Sequence, residues 1–238
     1  MKTGESRLLK HDLSNYDASS YEKVSLTVDI GICSIIDDEL KILLINRKYL
    51  PFKDYWAIPG GFLKNDLKET LEETAIRKLK EETGLKDIYI EQLKSYGDPY
   101  RDPRMRIISV AYFALVPYSF LEKQKIKWSN DVQDAQWFSV RNLPNKIAFD
   151  HEIIVKDILL RLIGKISYSP IAFSLLPDKF TWMELQRVYE IILGKKLLAS
   201  NFRRKLNTMY EFKTVKICKS NKPGRPSTCI SFIKEKEY

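Results

Sequence analysis

The stretch that decides the fold is residues 59–85, PGGFLKNDLKETLEETAIRKLKEETGL. It opens with Pro-Gly-Gly, which is typical of a tight loop, and it closes with a glycine that is suited to end a helix. The spacing between them predicts an α-helix from about residue 69 to residue 83, with Ala75, Ile76 and Leu79 on one inward-facing arc. We therefore expect a loop, a helix and a second loop.

An adjacent arc of this helix is charged. Lys78, Glu81 and Glu82 are spaced i, i+3 and i+4, so they lie together. Three carboxylates there would hold Mg²⁺ against substrate phosphates. An ammonium instead repels the cation and pairs with Glu81 or Glu82. An ordinary solvated helix face is the alternative, but the two flanking loop motifs favour a binding site.

These residues resemble the Nudix box, which runs Gly, five residues, Glu, seven residues, then Arg-Glu-apolar-x-Glu-Glu-x-Gly-apolar. The matching positions are Glu69, Arg77, Leu79, Glu81, Glu82, Gly84 and Leu85. Two extra residues separate Gly61 from Glu69, and Lys78 stands where the box has a glutamate. The resemblance implies a Nudix α/β/α sandwich with a nucleoside-diphosphate pocket. It makes Glu69, Glu81 and Glu82 the metal ligands, and Glu81 and Glu82 the catalytic residues of any active form.

Composition narrows the class of protein. The chain has 238 residues, of which 44% are hydrophobic, which suffices for one large or two modest domains. No window approaches the roughly 18 apolar residues of a membrane span, and the first 17 residues are polar, so neither a span nor a secretory signal is predicted. The three cysteines lack metal-ligand spacing, which fits a reducing cytoplasm.

The net charge of +9 is unevenly distributed. Residues 171–238 carry 14 Lys and Arg against 6 Asp and Glu, whereas residues 1–170 carry 26 against 25. A lysine-rich genome would raise the charge evenly along the chain. The excess in the last third therefore predicts an anionic partner for that part of the chain.

The hydrophobic pattern predicts strands on both sides of the box helix. Alternation over residues 24–32 predicts a strand with one buried face, and residues 40–45, 88–93, 107–116 and 136–138 are further strands. Residues 150–163 have helical spacing through Ile154, Ile158 and Leu162. This order suits a mixed sheet between helices. We predict a tail over 1–22, a Nudix domain over 23–165 and, after breakers in 164–170, a second domain over 170–238.

The C-terminal third predicts a helix-turn-helix. Thr181 and Glu184 form a capping box that opens a helix ending at Gly194. Ser200 is the N-cap candidate of a second helix that buries Phe202, Leu206 and Met209. Its polar side carries Asn201, Arg203, Arg204 and Asn207, with Lys205 on the flank. Arginine and asparagine make bidentate contacts with guanine and adenine edges, so this helix is suited to read DNA.

Two β-prone runs follow, over residues 212–219 and 227–233. The basic, Pro/Gly-containing segment between them predicts a hairpin wing in which Lys222 and Arg225 reach a phosphate or the minor groove. Basic helices and basic hairpin tips are common on ordinary surfaces. The combination of helix, turn, basic helix and wing, together with the local charge, favours DNA.

Residues 24–232, nearly the whole chain, resemble the Nudix-related transcriptional regulators. The similarity rests on FSLLP at 173–177, on ELQRVYE at 184–190, on NFRRK at 201–205 and on GRP at 224–226. In the first half it rests on RDPR at 101–104 and AFDH at 148–151. The resemblance implies that the Nudix domain senses a nucleotide or sugar effector, ADP-ribose or a pentose, and that a C-terminal winged helix controls a metabolic operon.

The leading hypothesis is an effector-responsive regulator. As a homodimer it would bind a two-fold DNA operator, without any cofactor for DNA binding. We predict base readout by Arg203, Arg204 and Asn207, with Asn201, Lys205, Lys222 and Arg225 on backbone or wing contacts.

Four arginines are candidates for the effector pocket: Arg47, Arg101, Arg104 and Arg106. A guanidinium is suited to diphosphate oxygens because its fork is bidentate. The alternative is that some of them only pair with Asp98, Asp102 or Asp150. His151, in the AFDH run, is expected to be a helix-start or packing residue rather than a catalyst.

Two rival functions remain. One is a Mg²⁺-dependent Nudix pyrophosphatase acting on ADP-ribose or a related nucleoside diphosphate, with its base drawn from outside the box. Lys78 and the two-residue insertion argue against it. The other is an RNA-binding module, which ranks last because the C-terminal region lacks the aromatic-rich strands that stack unpaired bases.

Overall fold

The protein is described here from a computed structural model covering residues 17–64, 68–84, 88–121, 132–215 and 228–235. Its first part is built around a mixed sheet of seven strands. The strands are β1 (Ser25–Ile36), β2 (Glu39–Arg47), β3 (Trp56–Ala57), β4 (Gly60–Phe62), β5 (Tyr89–Tyr96), β6 (Ile107–Leu115) and β7 (Val132–Ser139). The main order is β3-β2-β1-β6-β5, with β4 paired to β1 and β7 paired to β2. The β1–β6 pair is parallel and every other pair in this sheet is antiparallel.

Strand β1 is buried on both faces, so the prediction of one buried face was wrong. The reason is its position in the middle of the sheet, between two helical layers. Val28, Ile30 and Ile32 lie in one apolar cluster with the box helix, and Cys33 lies in the other cluster with the helix on the opposite face. Gly31 allows that second helix to approach closely, since a Cβ there would lie 2.2 Å from Ile158 Cδ1.

The box helix is α1 (Leu71–Thr83), two residues shorter at its start than predicted. Thr70 is the N-cap and forms a capping box with Glu73, so the chain turns into the helix only after Glu69. Gly84 ends the helix with a φ of 72°. Ala75 and Leu79 are buried as predicted, whereas Ile76 is 48% exposed. The prediction that Ile76 lies on the inward-facing arc was therefore wrong. The sheet covers a narrower stripe of the helix than the apolar pattern suggests.

Two more helices complete this part of the molecule. They are α2 (Tyr118–Leu121) and α3 (His151–Lys165). Ile154, Ile158 and Leu162 are fully buried in α3, which confirms the helical spacing. With α1 on one face of the sheet and α3 on the other, the predicted α/β/α sandwich is confirmed.

The C-terminal part contains a helix-turn-helix and a hairpin. After a 3₁₀ segment at Pro170–Leu175 come α4 (Trp182–Leu193), α5 (Ala199–Met209), β8 (Tyr210–Val215) and β9 (Cys229–Glu235). The capping box at Thr181 and the left-handed Gly194 are confirmed. The predicted N-cap of α5 was wrong, since Leu198 holds that position without a side-chain bond and Ser200 lies inside the helix. The hairpin begins at Tyr210, two residues before the predicted run.

One apolar cluster is continuous from the sheet to this C-terminal part. It includes Leu40 of β2, Ile158 of α3, Leu185 of α4 and Ile230 of β9. Arg141 and Arg187 add polar contacts across the same junction. The helix-turn-helix is therefore packed directly against the sandwich.

Two further expectations concern membrane spans and the cysteines. No helix in the described ranges is long and apolar enough to cross a membrane. Cys33 is a free thiol, and its burial raises its pKa to about 12. Cys229 is disulfide-bonded, which the spacing of the cysteines did not predict.

Candidate functional site

A cavity of about 300 Å³ lies beside the Pro-Gly-Gly segment. Its walls come from the middle of β1, the end of β2, strand β4, the loop before β6 and the start of α3. The lining residues include Asp29, Arg47, Lys48, Tyr49, Gly60, Gly61, Phe62, Arg101, Asp102, Arg104, Phe149 and His151. The fold thus brings segments that are more than 100 residues apart to one opening.

Arg101 is buried at the back of this cavity. Its guanidinium donates two hydrogen bonds to Asp150, of 2.7 and 2.9 Å, and lies 3.5 Å from Asp29. Burial alone would lower the pKa of Arg101, but the facing carboxylates outweigh it and raise the pKa. Its charge is therefore balanced inside the protein, as the pairing alternative proposed.

Arg104 is also paired with a carboxylate. Its side chain donates two hydrogen bonds to Asp102, of 2.7 and 2.9 Å, and its guanidinium lies 5.4 Å from the centre of the Phe62 ring. The bonds from Arg104 lower the pKa of Asp102 despite that residue's burial. Asp98 accepts the Tyr100 amide hydrogen at 2.8 Å.

Arg47 lies at the end of β2 on the opposite side of the cavity. Its Nε donates to the carbonyl of Pro51 at 3.0 Å, and its guanidinium lies 5.0 Å from the Phe149 ring centre. Phe149 has a φ of 56°, which is uncommon for a bulky side chain and costs of the order of 1–3 kcal/mol. Arg106 is exposed, and it is not among the described residues that line the cavity.

Three cation–aromatic pairs line this cavity. Besides the pairs at Phe62 and Phe149, Lys48 Nζ lies 5.5 Å from the Tyr49 ring centre. Such a wall offers positive charge and aromatic faces side by side. It is suited to a ligand that carries both phosphate and a planar base.

Asp29 and His151 form a polar wall that the sequence interpretation did not assign. His151 Nδ1 accepts the amide hydrogen of Ile58 at 2.8 Å, and its Nε2 lies 3.7 Å from Asp29 Oδ2. Ser109 donates a short hydrogen bond to the same Asp29 oxygen. Burial lowers the pKa of His151, so the ring is neutral at pH 7. Asp29 had a signal in the sequence, because it is a carboxylate in the middle of an apolar strand.

The box residues around α1 form a compact charge network. Both Glu69 oxygens accept from Arg77 Nε at 2.9 Å, and Glu81 accepts from Arg77 at 3.0 Å. Lys78 Nζ lies 3.2 Å from the other Glu81 oxygen. Burial raises the pKa of Glu81, but Arg77 and Lys78 outweigh it and lower that pKa. The side chain of Glu82 lies outside the described part of the structure.

The two predicted metal ligands that the structure describes, Glu69 and Glu81, do not fit a magnesium site. Lys78 places an ammonium 3.2 Å from Glu81, and a fixed positive charge there repels a divalent cation. Among the described residues, no group of three or more Asp, Glu, His or Cys side chains is arranged to hold a metal. Glu69 and Glu81 are thus brought together, but around an arginine and a lysine.

Helix α5 presents the predicted polar side to solvent. Phe202 and Leu206 are buried. The exposed residues are Asn201, Arg203, Arg204, Lys205 and Asn207. The guanidinium of Arg203 lies 5.9 Å from the Trp182 ring centre, which joins it to the start of α4. Lys222 and Arg225, the predicted wing contacts, lie outside the described residues.

The turn between α4 and α5 is held by Glu190, a residue that the sequence interpretation missed. Its carboxylate accepts from Gln186 at 3.0 Å, from the Leu197 amide at 3.0 Å and from Lys196 at 2.9 Å. These bonds lower the pKa of Glu190 to about 2. Gln186 also donates to the Leu197 carbonyl at 2.9 Å. The two side chains therefore set the angle at which α5 leaves α4.

Comparison with known proteins agrees with this architecture. The NUDIX domain family matches residues 25–158, and the NrtR DNA-binding winged helix domain matches residues 172–232. The chain is 40% identical over 195 residues to the ADPR responsive transcriptional repressor NtrR of Acinetobacter baylyi, covering 82% of this chain and 76% of that protein.

Two other relatives bear on the two halves of the molecule. The crystal structure of Shewanella oneidensis NrtR complexed with a 27mer DNA superposes with a TM-score of 0.75 at 33% identity, covering 87% of this chain and 93% of that one. The ADP-ribose pyrophosphatase of Methanocaldococcus jannaschii is 40% identical over 148 residues, covering 62% of this chain and 79% of that protein.

A Nudix sandwich joined to a winged helix-turn-helix defines a class of DNA-binding regulators in which the Nudix domain is the effector domain. The chain belongs to the NUDIX family, in the branch that carries the NrtR winged helix.

Proposed function

We propose that this regulator is a repressor that releases its operator when ADP-ribose occupies the Nudix cavity. The observation that carries the proposal is the cavity wall, where three cations lie against aromatic rings. ADP-ribose has a diphosphate for the cations and an adenine for the aromatic faces, whereas a simple pentose has neither. The relative that responds to ADPR, at 40% identity, supports the same effector.

Within the cavity, we assign the effector contacts to Arg47 and Arg104. Arg101 is buried behind them and holds Asp150 and Asp29 in place. The Arg101 side chain is 4% exposed and is bonded to Asp150, so we assign it a positioning role and no contact with the effector. Arg106 is not among the described residues that line the cavity and is given no contact.

We assign DNA contacts to α5 and the wing. Arg203, Arg204 and Asn207 would read base edges, and Asn201 and Lys205 would bind the backbone, because all five are exposed on one helix. Lys222 and Arg225 are assigned to the wing. No cofactor is required for DNA binding, and two chains are assigned to one palindromic operator.

The domain limits and the location of the protein belong to the same proposal. We assign residues 1–22 to a tail, 23–165 to the effector domain and 170–238 to the DNA-binding domain. We place the protein in the cytoplasm, where DNA and nucleotides meet. Disulfides are rare there, so the bond at Cys229 argues against this location. Counting the free thiols of this protein in freshly lysed cells, with and without reductant, tests the cytoplasmic assignment.

A Mg²⁺-dependent ADP-ribose pyrophosphatase is the second candidate, favoured by the similarity to the Methanocaldococcus jannaschii enzyme. Against it stand the pairs that Glu69 and Glu81 make with Arg77 and Lys78. A hydrolase would have to bind its metal against the positive charge of Lys78, which lies 3.2 Å from Glu81.

The test is a gel-shift titration of the full chain on its own upstream DNA. We expect a specific shift that weakens steeply with salt and is relieved by ADP-ribose but not by ribose, with ADP-ribose intact afterwards. Arg203→Ala and Arg204→Ala should each weaken specific binding by about 1–3 kcal/mol, whereas Lys179→Ala, outside the predicted interface, should not. Rapid ADP-ribose turnover without a specific shift would reverse the assignment in favour of the hydrolase.

A further inference from the structure

The Asp29 carboxylate has one oxygen, Oδ1, to which none of the described residues donates a hydrogen bond. Its partners lie at the other oxygen, Oδ2, to which Ser109 donates a hydrogen bond and from which Arg101 lies 3.5 Å away. Gly60 is beside Oδ1, since a Cβ added to it would lie 2.2 Å from this oxygen. Asp29 and Gly60 both line the cavity, and a carboxylate oxygen has lone pairs for two hydrogen bonds. Oδ1 is therefore the acceptor that this carboxylate offers to a ligand.

His151 supplies a donor beside this acceptor. Its Nδ1 accepts the Ile58 amide hydrogen at 2.8 Å, so the neutral ring carries its proton on Nε2. Nε2 lies 3.7 Å from Asp29 Oδ2, which is too far for a hydrogen bond. The Nε2–H group thus has no acceptor in the part of the chain that the structure describes, although the side chain is only 5% exposed. A buried donor without an acceptor costs free energy, which a ligand oxygen would restore.

The charge of this wall determines what kind of ligand group it accepts. Arg101 lies between Asp29 and Asp150, so two carboxylates face one guanidinium. Because the His151 ring is neutral, these four side chains carry a net negative charge. A negative wall repels phosphate, whereas a hydroxyl is uncharged and can both donate and accept a hydrogen bond. The wall is therefore suited to sugar hydroxyls and not to the diphosphate.

We propose that Asp29 and His151 form a hydroxyl-binding subsite of the cavity, which takes the neighbouring hydroxyls of a ribose of the effector. One hydroxyl donates to Asp29 Oδ1, and the next accepts from His151 Nε2. The inference rests on the proposed function, since ADP-ribose brings its riboses and its diphosphate into the same cavity. The Phe149 ring centre lies 5.0 Å from the Arg47 guanidinium and 5.2 Å from the His151 ring centre. The subsite is thus separated by a single aromatic ring from a cation that we assign to the diphosphate.

The experiment is calorimetric titration of the full chain with three ligands, in excess EDTA so that none is cleaved. They are ADP-ribose, ADP, which lacks the terminal ribose, and the ADP-ribose analogue whose adenosine lacks both ribose hydroxyls. Asp29→Asn removes the charge of the acceptor and should weaken ADP-ribose binding by about tenfold. The loss should vanish for the ligand that lacks the contacted hydroxyls. That ligand is ADP if the terminal ribose occupies the subsite, and the analogue if the adenosine ribose does.

His151→Asn tests the donor separately. The asparagine oxygen can replace Nδ1 as the acceptor for Ile58, while the Nε2–H donor is lost. ADP-ribose binding should weaken by about fivefold, with the same dependence on the ligand as in Asp29→Asn. Asp157→Asn is the matched control, because this carboxylate of α3 is bonded to Tyr96 at 2.7 Å and is not among the described residues that line the cavity. Its affinities for all three ligands should equal those of the wild type.

The ligand dependence separates a contact with hydroxyls from a general disturbance of the cavity. If Asp29→Asn weakens all three ligands equally, or weakens none, the inference is overturned while the proposed effector stands. A His151→Asn protein that binds ADP-ribose like the wild type would overturn it as well. Absence of ADP-ribose binding by the wild type would instead overturn the proposed function itself.

Discussion

Three arginines line the cavity, and their surroundings differ. Arg101 and Arg104 are each bonded twice to an aspartate, whereas Arg47 is bonded to a backbone carbonyl and lies over Phe149. Arg47 lies in the cavity wall beside the Phe149 ring, so its guanidinium borders the space that we assign to the diphosphate.

We predict that substitutions of Arg47 and Arg106 have different effects on ADP-ribose affinity. Arg47→Ala should weaken ADP-ribose binding by about tenfold, because a charge-assisted contact is lost. Arg106→Ala is the matched control and should change the affinity by less than about twofold, as expected for a surface charge. Calorimetry on both variants checks the prediction. An Arg106 effect as large as the Arg47 effect would contradict this placement of the phosphate.

At the scale of elements, the turn between α4 and α5 determines how the reading helix is presented. The polar side of the turn is held by the bonds that Gln186 and Glu190 make to residues 196–197. Glu190 is 8% exposed at its side chain, so its charge is compensated by protein donors and little by water.

We predict that Glu190→Gln destabilises folding by about 1–3 kcal/mol at pH 7, because bonds to a charged acceptor are weakened. The pKa of Glu190 falls from 4.5 to about 2 on folding, so its stabilisation is present above pH 4.5 and is lost as the pH falls toward 2. The difference between wild type and variant in urea unfolding should shrink over that range. Glu211→Gln, on the exposed side of β8, is the control. A pH-independent difference would show that the charge of Glu190 is not the cause.

At the scale of the whole molecule, the effector domain and the reading domain are joined by one apolar core and two arginines. Arg141 donates to the carbonyls of Ile191 and Ile192 at 3.4 and 3.0 Å, at the negative end of the α4 dipole. Arg187 of α4 is bonded to Asp38, in the β1–β2 turn, at 2.9 Å. Helix α3 begins at the cavity with His151 and packs against α4. Helix α3 therefore connects the cavity wall to α4 through direct packing.

We predict that Arg141→Ala weakens the coupling between the two domains. ADP-ribose should still bind with wild-type affinity, but its effect on DNA affinity should fall several-fold, by about 1 kcal/mol of coupling free energy. Gel shifts at zero and saturating ADP-ribose give the two DNA affinities whose ratio measures the coupling. Lys195→Ala, on the exposed turn, is the control. If the ratio of the two DNA affinities is unchanged, coupling does not pass through this contact.

Much of the fold could be predicted from the sequence because its determinants are local. The capping box at Thr181, the glycine ends of α1 and α4 and the apolar stripe of α3 each depend on residues a few positions apart. The errors have a common origin. The exposure of Ile76 and the two buried faces of β1 depend on which layers cover an element, and a short stretch of sequence does not contain that information.

By itself, the sequence determined the order of elements, the Nudix box with its lysine and the basic helix of the C-terminal third. Only the tertiary structure decided which charges are available for a ligand. Arg101 meets Asp150 across 49 residues of chain and Asp29 lies closer to the N-terminus, so their pairing depends on how the strands and α3 assemble. The physical reason is that helix caps and periodicity are set by neighbours in the chain, whereas ion pairs and cavities are set by neighbours in space.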